Sequence, residues 1–351
     1  MESLKTIGKA WKIPDIRKKI IFTLLMLVVF RIGSNIPVPG INRDILDQAF
    51  NGDSGLFELF DLFSGGAFSN LTIFALSITP YITASIVLQL LTIAIPALER
   101  LAKEGVEGRK KIARYTRYLT VALAFVQAIG MTLGIFKQYL LHTDFFHITV
   151  VVFVLSAGTA FLMWLGELIN ENGIGNGISL IIFGGIVARV PSAVMAAYSN
   201  YKSGAISLVG IFLFLAFAIL VIIVIIEIQQ GQRRIPVQYA KRVVGRKMYG
   251  GQSTHIPLKV NQAGVIPVIF GMSLLQLPQT LVYFWPNTGF SEFMTKWLST
   301  NGTPGVYFYS IFYAILIIFF TYFYTAVTFN PMEVADNMKA NAKKDSMQFK
   351  I

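Results

Sequence analysis

The sequence predicts an all-α fold, a polytopic membrane helix bundle, on three observations. Apolar residues make up 54% of the 351 residues and charged residues only 14%. The apolar residues fall in blocks of about 20, the length that spans a bilayer's hydrocarbon core, whereas buried helices of soluble proteins are shorter and amphipathic. Lys and Arg collect in the stretches between alternate blocks, so the net charge of +12 reads first as topology and only then as a sign of partners.

Taken in order, the spans lie near 19–36, 71–95, 117–137, 148–169, 178–198, 207–229, 263–283 and 306–329, eight in all. With the amino terminus in the cytoplasm, 24 of the 30 Lys and Arg residues face that side: those before the first span, in 96–118, in 230–262 and after 330. Basic residues flanking short loops resist translocation, which fixes this orientation and puts the carboxyl terminus in the cytoplasm as well. Lys5, Lys9, Lys12, Arg17, Lys18 and Lys19 ahead of the apolar run 20–30 resemble a signal peptide, but Arg31 follows at once and no small-residue cleavage site does. The run is therefore an uncleaved first span. Cysteine is absent, which excludes disulfides and thiolate metal sites.

Two stretches are irregular. LFELFDLFSGGAFSN at 56–70 is too short to cross; Leu56, Leu59, Phe60 and Phe63 share a helical face with Glu58 and Asp61 opposite, and Gly65 and Gly66 end the helix. It is a re-entrant segment, of the kind a membrane tolerates where protein covers the backbone, or an interfacial helix on the outer surface. SITPYITASIVLQ at 77–89 carries hydroxyls, a proline and an amide inside an apolar span. Pro80 is expected to kink that helix, with Ser77, Thr79, Thr83 and Ser85 serving the freed carbonyls or gluing a neighbouring helix. Gln89 needs a partner in hydrocarbon, and Asn261 is a candidate.

Ile78 and Ile82, four apart, share a face, and Ile178 and Ile182 repeat the spacing; such pairs are ordinarily lipid-facing, and periodicity alone nominates no pore. GIGNGI at 173–178 follows no strand and lacks the dinucleotide spacing, so it is a tight turn between spans. No Walker A pattern occurs, and any ATP-driven work belongs to a partner. His142, His147 and His255 lack metal spacing, and no Ser, His and Asp set shares a membrane depth, so neither catalysis nor a metal or cofactor is expected. Glu167, Glu171 and Glu227 lie near span ends, where carboxylates reach water, which argues against an ion-coupled transporter.

Longer motifs carry a resemblance. FRIGSNIPVPGI at 30–41, FSGGAFSNLTIFALSITPYITASIVLQLL at 63–91, GRKKIARYTRY at 108–118, FLMWLGELINENGIGNGISLIIF at 161–183, GQRRIPVQYAKR at 231–242, STHIPLKVNQAGVIP at 253–267 and NPMEVADN at 330–337 resemble the SecY family, channel subunits of the bacterial protein translocase, over about residues 8–340. The resemblance implies a clamshell of two pseudo-symmetric halves, residues 1–200 and 201–351, around a pore that passes unfolded secretory chains across the plasma membrane and releases membrane helices sideways. It puts Ile78, Ile82, Ile178, Ile182 and Ile269 in the pore ring. The plug falls at about 54–70, with Leu56, Phe57, Phe60, Phe63, Gly65 and Gly66. Thr83, Gln89 and Asn261 belong to a lateral gate between the second and third spans and the seventh and eighth. Arg109, Lys110, Arg242 and Arg246 lie in loops that dock the motor ATPase SecA or a ribosome, although positive-inside topology alone would also make those loops basic. The implied partners are the small membrane subunits SecE and SecG, SecA, the ribosome, signal sequences with their nascent polypeptides, and the lipid bilayer.

The physics fits such a device. Branched aliphatic side chains are stiff at χ1 and bind no ions, so a ring of them seals around any threading chain. Gate contacts made of polar pairs worth roughly 0.6 kcal/mol each are weak enough to open. The family has ten spans where eight are read here, so a truncated bundle of eight spans plus a plug helix is expected. A secondary transporter built from inverted repeats, or a non-conducting fragment acting as a scaffold, stay as alternatives.

Overall fold

The structure is a computed structural model and describes residues 11–41, 61, 64–134, 136–237, 242–244, 247–249, 254–282, 288–298 and 304–328. Its helices start and stop where local chemistry dictates. Helix α1 (Pro14–Gly33) opens with proline in its first turn, where the missing N–H costs no hydrogen bond, and ends with Arg31 against its carbonyl end. The expected second span begins late. Residues 71–78 are not helical, and α2 runs Thr79–Ala94. Leu71 (φ +37°) and Ser77 (φ +53°) adopt left-handed backbone that interrupts a helix.

Pro80 therefore sits in the first turn of α2 and does not kink it, which corrects the sequence expectation: at that position its absent N–H breaks nothing. The bend comes instead at the second proline. Helix α3 (Pro96–Lys103) leaves α2 at 101°, because Ile95 before Pro96 is driven to extended backbone (φ −109°, ψ 112°).

Helix α4 (Val106–Gly134) is about 44 Å long at 1.5 Å per residue, enough to cross the hydrocarbon and still carry its basic first turns outside it. A 3₁₀ turn (Phe136–Tyr139) leads towards α5 (Phe145–Asn172), and a short turn joins α5 to α6 (Gly177–Ala188). Helix α7 (Val190–Lys202) continues after a break at Arg189, and α8 (Leu208–Gln230) starts at Ser207, whose Oγ accepts from Gly210 N at 3.2 Å.

Strands replace loop in the stretch 230–262. Antiparallel pairs form between β1 (Gln232–Val237) and β4 (Thr254–Lys259), and between β2 (Arg242–Val244) and β3 (Lys247–Tyr249). The otherwise helical fold thus carries two small ribbons, whose strands mix β-branched residues such as Ile235, Val243 and Ile256 with basic ones. Helices α9 (Ile266–Val282, Pro278 inside), α10 (Gly289–Trp297) and α11 (Gly305–Thr328) complete the described chain.

Among the described residues, α4, α5, the α6–α7 pair, α8 and α11 are long and apolar enough to cross a membrane, and the bent α2–α3 pair would add a sixth. The first and seventh expected spans are helical too, but α1 carries five charged residues and α9 has 17 residues. No residue of α8 is buried, as befits a helix whose solvent is lipid.

The chain divides into two compact units, Met1–Met195 with Phe270–Ala314, and Ala196–Ile269 with Ile315–Ile351. The first holds two apolar clusters. One gathers Phe68, Leu71, Ala128, Met131, Phe136 and Leu155, and the other Phe30, Phe74, Ile78, Leu162, Leu165 and Ile181. The non-helical segment 65–78 feeds side chains into both. Its backbone is served by protein, as hydrocarbon demands: Val38 N donates to Leu71 O and Ile73 N to Ile36 O, both at 3.0 Å, and Thr159 Oγ1 donates to Ser77 O at 3.5 Å. Close approach is bought by glycine: a Cβ at Gly158 would stand 1.8 Å from Ile73 O.

Candidate functional site

Four of the five isoleucines singled out by sequence lie in one apolar cluster of the first unit. Ile78, 1% exposed, is the residue that caps α2, and Ile82 lies one turn on; Ile178 and Ile182 occupy the first two turns of α6. Ile82, Ile178 and Ile182 are half-buried and pack against the same core as Phe30 and Leu165. Ile269, half-buried in the first turn of α9, belongs to the second unit.

The start of α6 is held from three sides. Asn170 Oδ1 accepts from Gly177 N at 2.7 Å, Asn176 Oδ1 caps the helix by accepting from Ser179 N at 3.1 Å, and Thr23 Oγ1 on α1 accepts from Ile174 N at 3.1 Å. Gly175 supplies the left-handed corner at φ +75°. A Cβ at Gly166 would stand 3.1 Å from Ile178 Cγ1, so the bare backbone of α5 leaves room for that side chain. Ile181, 1% exposed, anchors α6 to α5 and was missed by sequence, where its neighbours at 178 and 182 took the attention. Phe74 was missed as well: it stacks between Phe30 (6.1 Å) and Phe161 (5.9 Å).

Of the plug residues, Leu56, Phe57, Phe60 and Phe63 lie outside the described residues. Gly65 and Gly66 take φ +68° and +91° just after helical geometry ends at Ser64. Asp61, read as the polar side of an amphipathic helix, is 4% exposed instead. Its carboxylate accepts from Arg189 Nη2 at 2.8 Å, Ser69 N at 2.9 Å and Ser64 Oγ at 3.4 Å. Arg31 Nη1 donates to Gly65 O at 2.8 Å. The signal for Arg189 was available, since a cation inside an apolar span requires a partner.

The gate residues use local partners. Thr83, buried, donates to Thr79 O at 3.1 Å; Gln89, exposed, donates to Ser85 Oγ at 3.5 Å; Asn261 closes a turn by accepting from Gly264 N at 3.0 Å. The i, i+4 spacing gives Gln89 an acceptor within its own helix. Of the docking residues, Arg109 and Lys110 are exposed in the first turns of α4, with Lys110 Nζ 2.9 Å from Glu107 Oε1. Arg242 opens β2, and Arg246 lies outside the described residues. Glu167, expected to reach water, is tied across helices to Arg117, Nε to Oε1 2.7 Å. Among the described residues no group of His, Cys, Asp and Glu could hold a metal ion. What the arrangement offers is an apolar cluster at the starts of α2 and α6 with a polar-tethered segment in the same unit.

Comparison with known proteins agrees in fold and family. The SecY family model matches residues 72–344. The protein translocase subunit SecY of Streptomyces coelicolor is 48% identical over 360 residues, covering 96% of this chain and 79% of that protein. That of Aquifex aeolicus is 48% identical over 345 residues, covering 95% and 79%. Among solved structures, a protein conducting channel superposes with TM-score 0.60 at 20% identity, covering 90% of this chain and 75% of that one. Sec61 of the canine ribosome-channel complex from the endoplasmic reticulum gives 0.62 at 18%, covering 94% and 80%; at such identity these two speak for the fold alone. On the extent and identity of these matches, the chain, a multi-pass membrane protein, belongs to the SecY family.

Proposed function

We propose that this chain is the central protein-conducting channel subunit of a Sec translocase. It passes unfolded secretory chains across the bacterial plasma membrane and releases membrane helices through a lateral gate, with both termini cytoplasmic. The observation that carries the reading is the apolar cluster holding Ile78, Ile82, Ile178 and Ile182, positioned by the starts of α2 and α6. In a protein of this family such a cluster acts as a gasket: it offers no ligand to an ion and no hydrogen bond to a passing chain, so it closes when idle and yields to any sequence. Ile269, in the first turn of α9, is the ring's member from the carboxyl-terminal half, residues 201–351, and the other four come from the amino-terminal half, 1–200.

The segment around 54–70 is the plug, and Thr83, Gln89 and Asn261 line the gate. The tethers at Asp61 and Gly65 and the short-range hydrogen bonds of the gate residues support that assignment. Exposed Arg109 and Lys110 dock SecA or the ribosome from the first unit, and Arg242 and Arg246 serve the same role from the second; SecE and SecG are the small membrane partners. The subunit itself is non-catalytic, and the motor supplies the energy.

Replacing Ile82, Ile182 and Ile269 with glycine tests the reading in reconstituted vesicles. Chloride leak should rise, and a stalled secretory chain should crosslink to a probe at residue 82. Unchanged leak with sodium- or proton-coupled solute uptake would point to a transporter, and no crosslink to a scaffold.

A further inference from the structure

We propose that the Asp61–Arg189 ion pair is a latch that holds the segment around Asp61 and Ser64–Gly66 in its seat, and so sets the idle leak of the channel. This rests on the channel reading above.

Ala67, Phe68 and Leu71 are wholly enclosed apolar residues, while the enclosed groups before them, Ser64 and Asp61, are polar. Between the two sets, Gly65 and Gly66 make a swivel at positive φ. Among the described residues, hydrogen bonds from Gly66 N, Ser69 N and Phe68 N tie Asp61 and Ser64 to their own stretch, and two arginines reach it from two different elements. Arg31, from the last turn of α1, grips the Gly65 carbonyl at 2.8 Å. Arg189, at the carboxyl end of α6, grips the Asp61 carboxylate at 2.8 Å. Between them Gly65 meets Gly185 backbone to backbone, since a Cβ at 65 would stand 2.8 Å from Gly185 Cα. Two glycines in contact bury almost no apolar area, so little packing holds this point.

The pair is suited to a reversible hold. Asp61 is enclosed and collects three donors, while the Arg189 side chain keeps 35% of its surface exposed. Its guanidinium also stands at the negative end of the α6 dipole, so it has a favourable place to remain when the carboxylate leaves. A buried ion pair gains little over its desolvation cost when intact, yet stranding one partner is expensive. Removing either charge should thus loosen the seat, while moving both together out of it need not.

The chain reconstituted in lipid vesicles gives the test, read as chloride efflux without motor or substrate. Asp61→Ala and Arg189→Gln should each raise idle leak about tenfold or more, the population shift that losing one charged hydrogen bond produces. Asp61→Glu should stay within about twofold of wild type. Deletion of residues 56–64 is the separate control on the channel reading. High leak from the deletion with unchanged leak in both single variants overturns the latch and leaves the channel. Unchanged leak in the deletion overturns the channel itself. Should Asp61→Ala fail to accumulate, Asp61→Asn against Arg189→Lys carries the same comparison, and equal leak in the two overturns the latch. A lowered unfolding temperature with wild-type leak also overturns it, since the pair would then be structural only.

Discussion

Gly177 and Gly166 touch through bare backbone: a Cβ added at Gly177 would stand 2.1 Å from Gly166 O and 2.8 Å from Ile169 Cβ. The obstacle is main chain and a β-branched stem, neither of which can swing away. Gly177→Ala should therefore push α6 off α5 and displace Ile178 and Ile182 from their cluster. Overpacking of this kind costs about 1–3 kcal/mol. The expected outcome is a lowered unfolding temperature together with raised vesicle leak; a variant with wild-type stability and seal would mean that the α5–α6 contact does not position the isoleucines.

Thr23 on α1 donates to Lys19 O at 2.8 Å and accepts from Ile174 N at 3.1 Å, which makes one hydroxyl the link between the first helix and the turn before α6. Thr23→Val keeps the shape and removes the acceptor. Ile174 N–H is then left without its partner at an exposed residue, where the loss is that of an ordinary hydrogen bond, about 0.5–1.5 kcal/mol. Hydrogen exchange should report it directly, with faster exchange at Ile174 while amides in the middle of α8 are unaffected.

Glu99 and Lys103 form an i, i+4 pair on α3 at 2.6 Å. The hydrogen bond from Lys103, and then its charge, hold the Glu99 carboxyl below the usual carboxylate range. A depressed folded-state value means that any contribution is present above the unfolded carboxylate value and lost as pH falls through the folded one. Since Glu99 is fully exposed, salt and water screen the pair and stability should hardly respond. Lys103→Met should raise the Glu99 titration midpoint into the ordinary range, read from its carboxyl carbon by NMR, with no change in unfolding temperature.

Apolar block length was enough to locate the membrane helices from α4 to α8 and α11, because the thickness of hydrocarbon imposes that length on any sequence. The Gly-Ile-Gly-Asn-Gly turn was equally legible, since glycine and asparagine there serve backbone geometry. Three features were not. The first eight residues of the second expected span are as apolar as a helix but are not helical, with left-handed backbone at Leu71 and Ser77, and tertiary hydrogen bonds link Leu71 to Val38, Ile73 to Ile36 and Ser77 to Thr159. The bend was assigned to Pro80 when Pro96 makes it, since a proline's effect depends on whether a turn of helix precedes it. The Asp61–Arg189 contact joins residues 128 positions apart, and no local period encodes a partner at that distance.

Arg117 on α4 and Glu167 on α5 meet at 2.7 Å with side chains 48% and 23% exposed, and they offer a measure of how firmly those two helices are joined at that end. Partial exposure lets water compete, so the coupling should resemble that of other exposed ion pairs, about 0.2–1 kcal/mol. Helix packing below it, through Ala124, Ala128 and Leu155, is apolar and independent of the pair. A double-mutant cycle of Arg117→Gln and Glu167→Gln, read by thermal unfolding in low-salt detergent, should give a coupling in that range that shrinks when salt is added. A coupling of several kcal/mol, insensitive to salt, would instead mean that the pair is shielded from water and braces the α4–α5 contact.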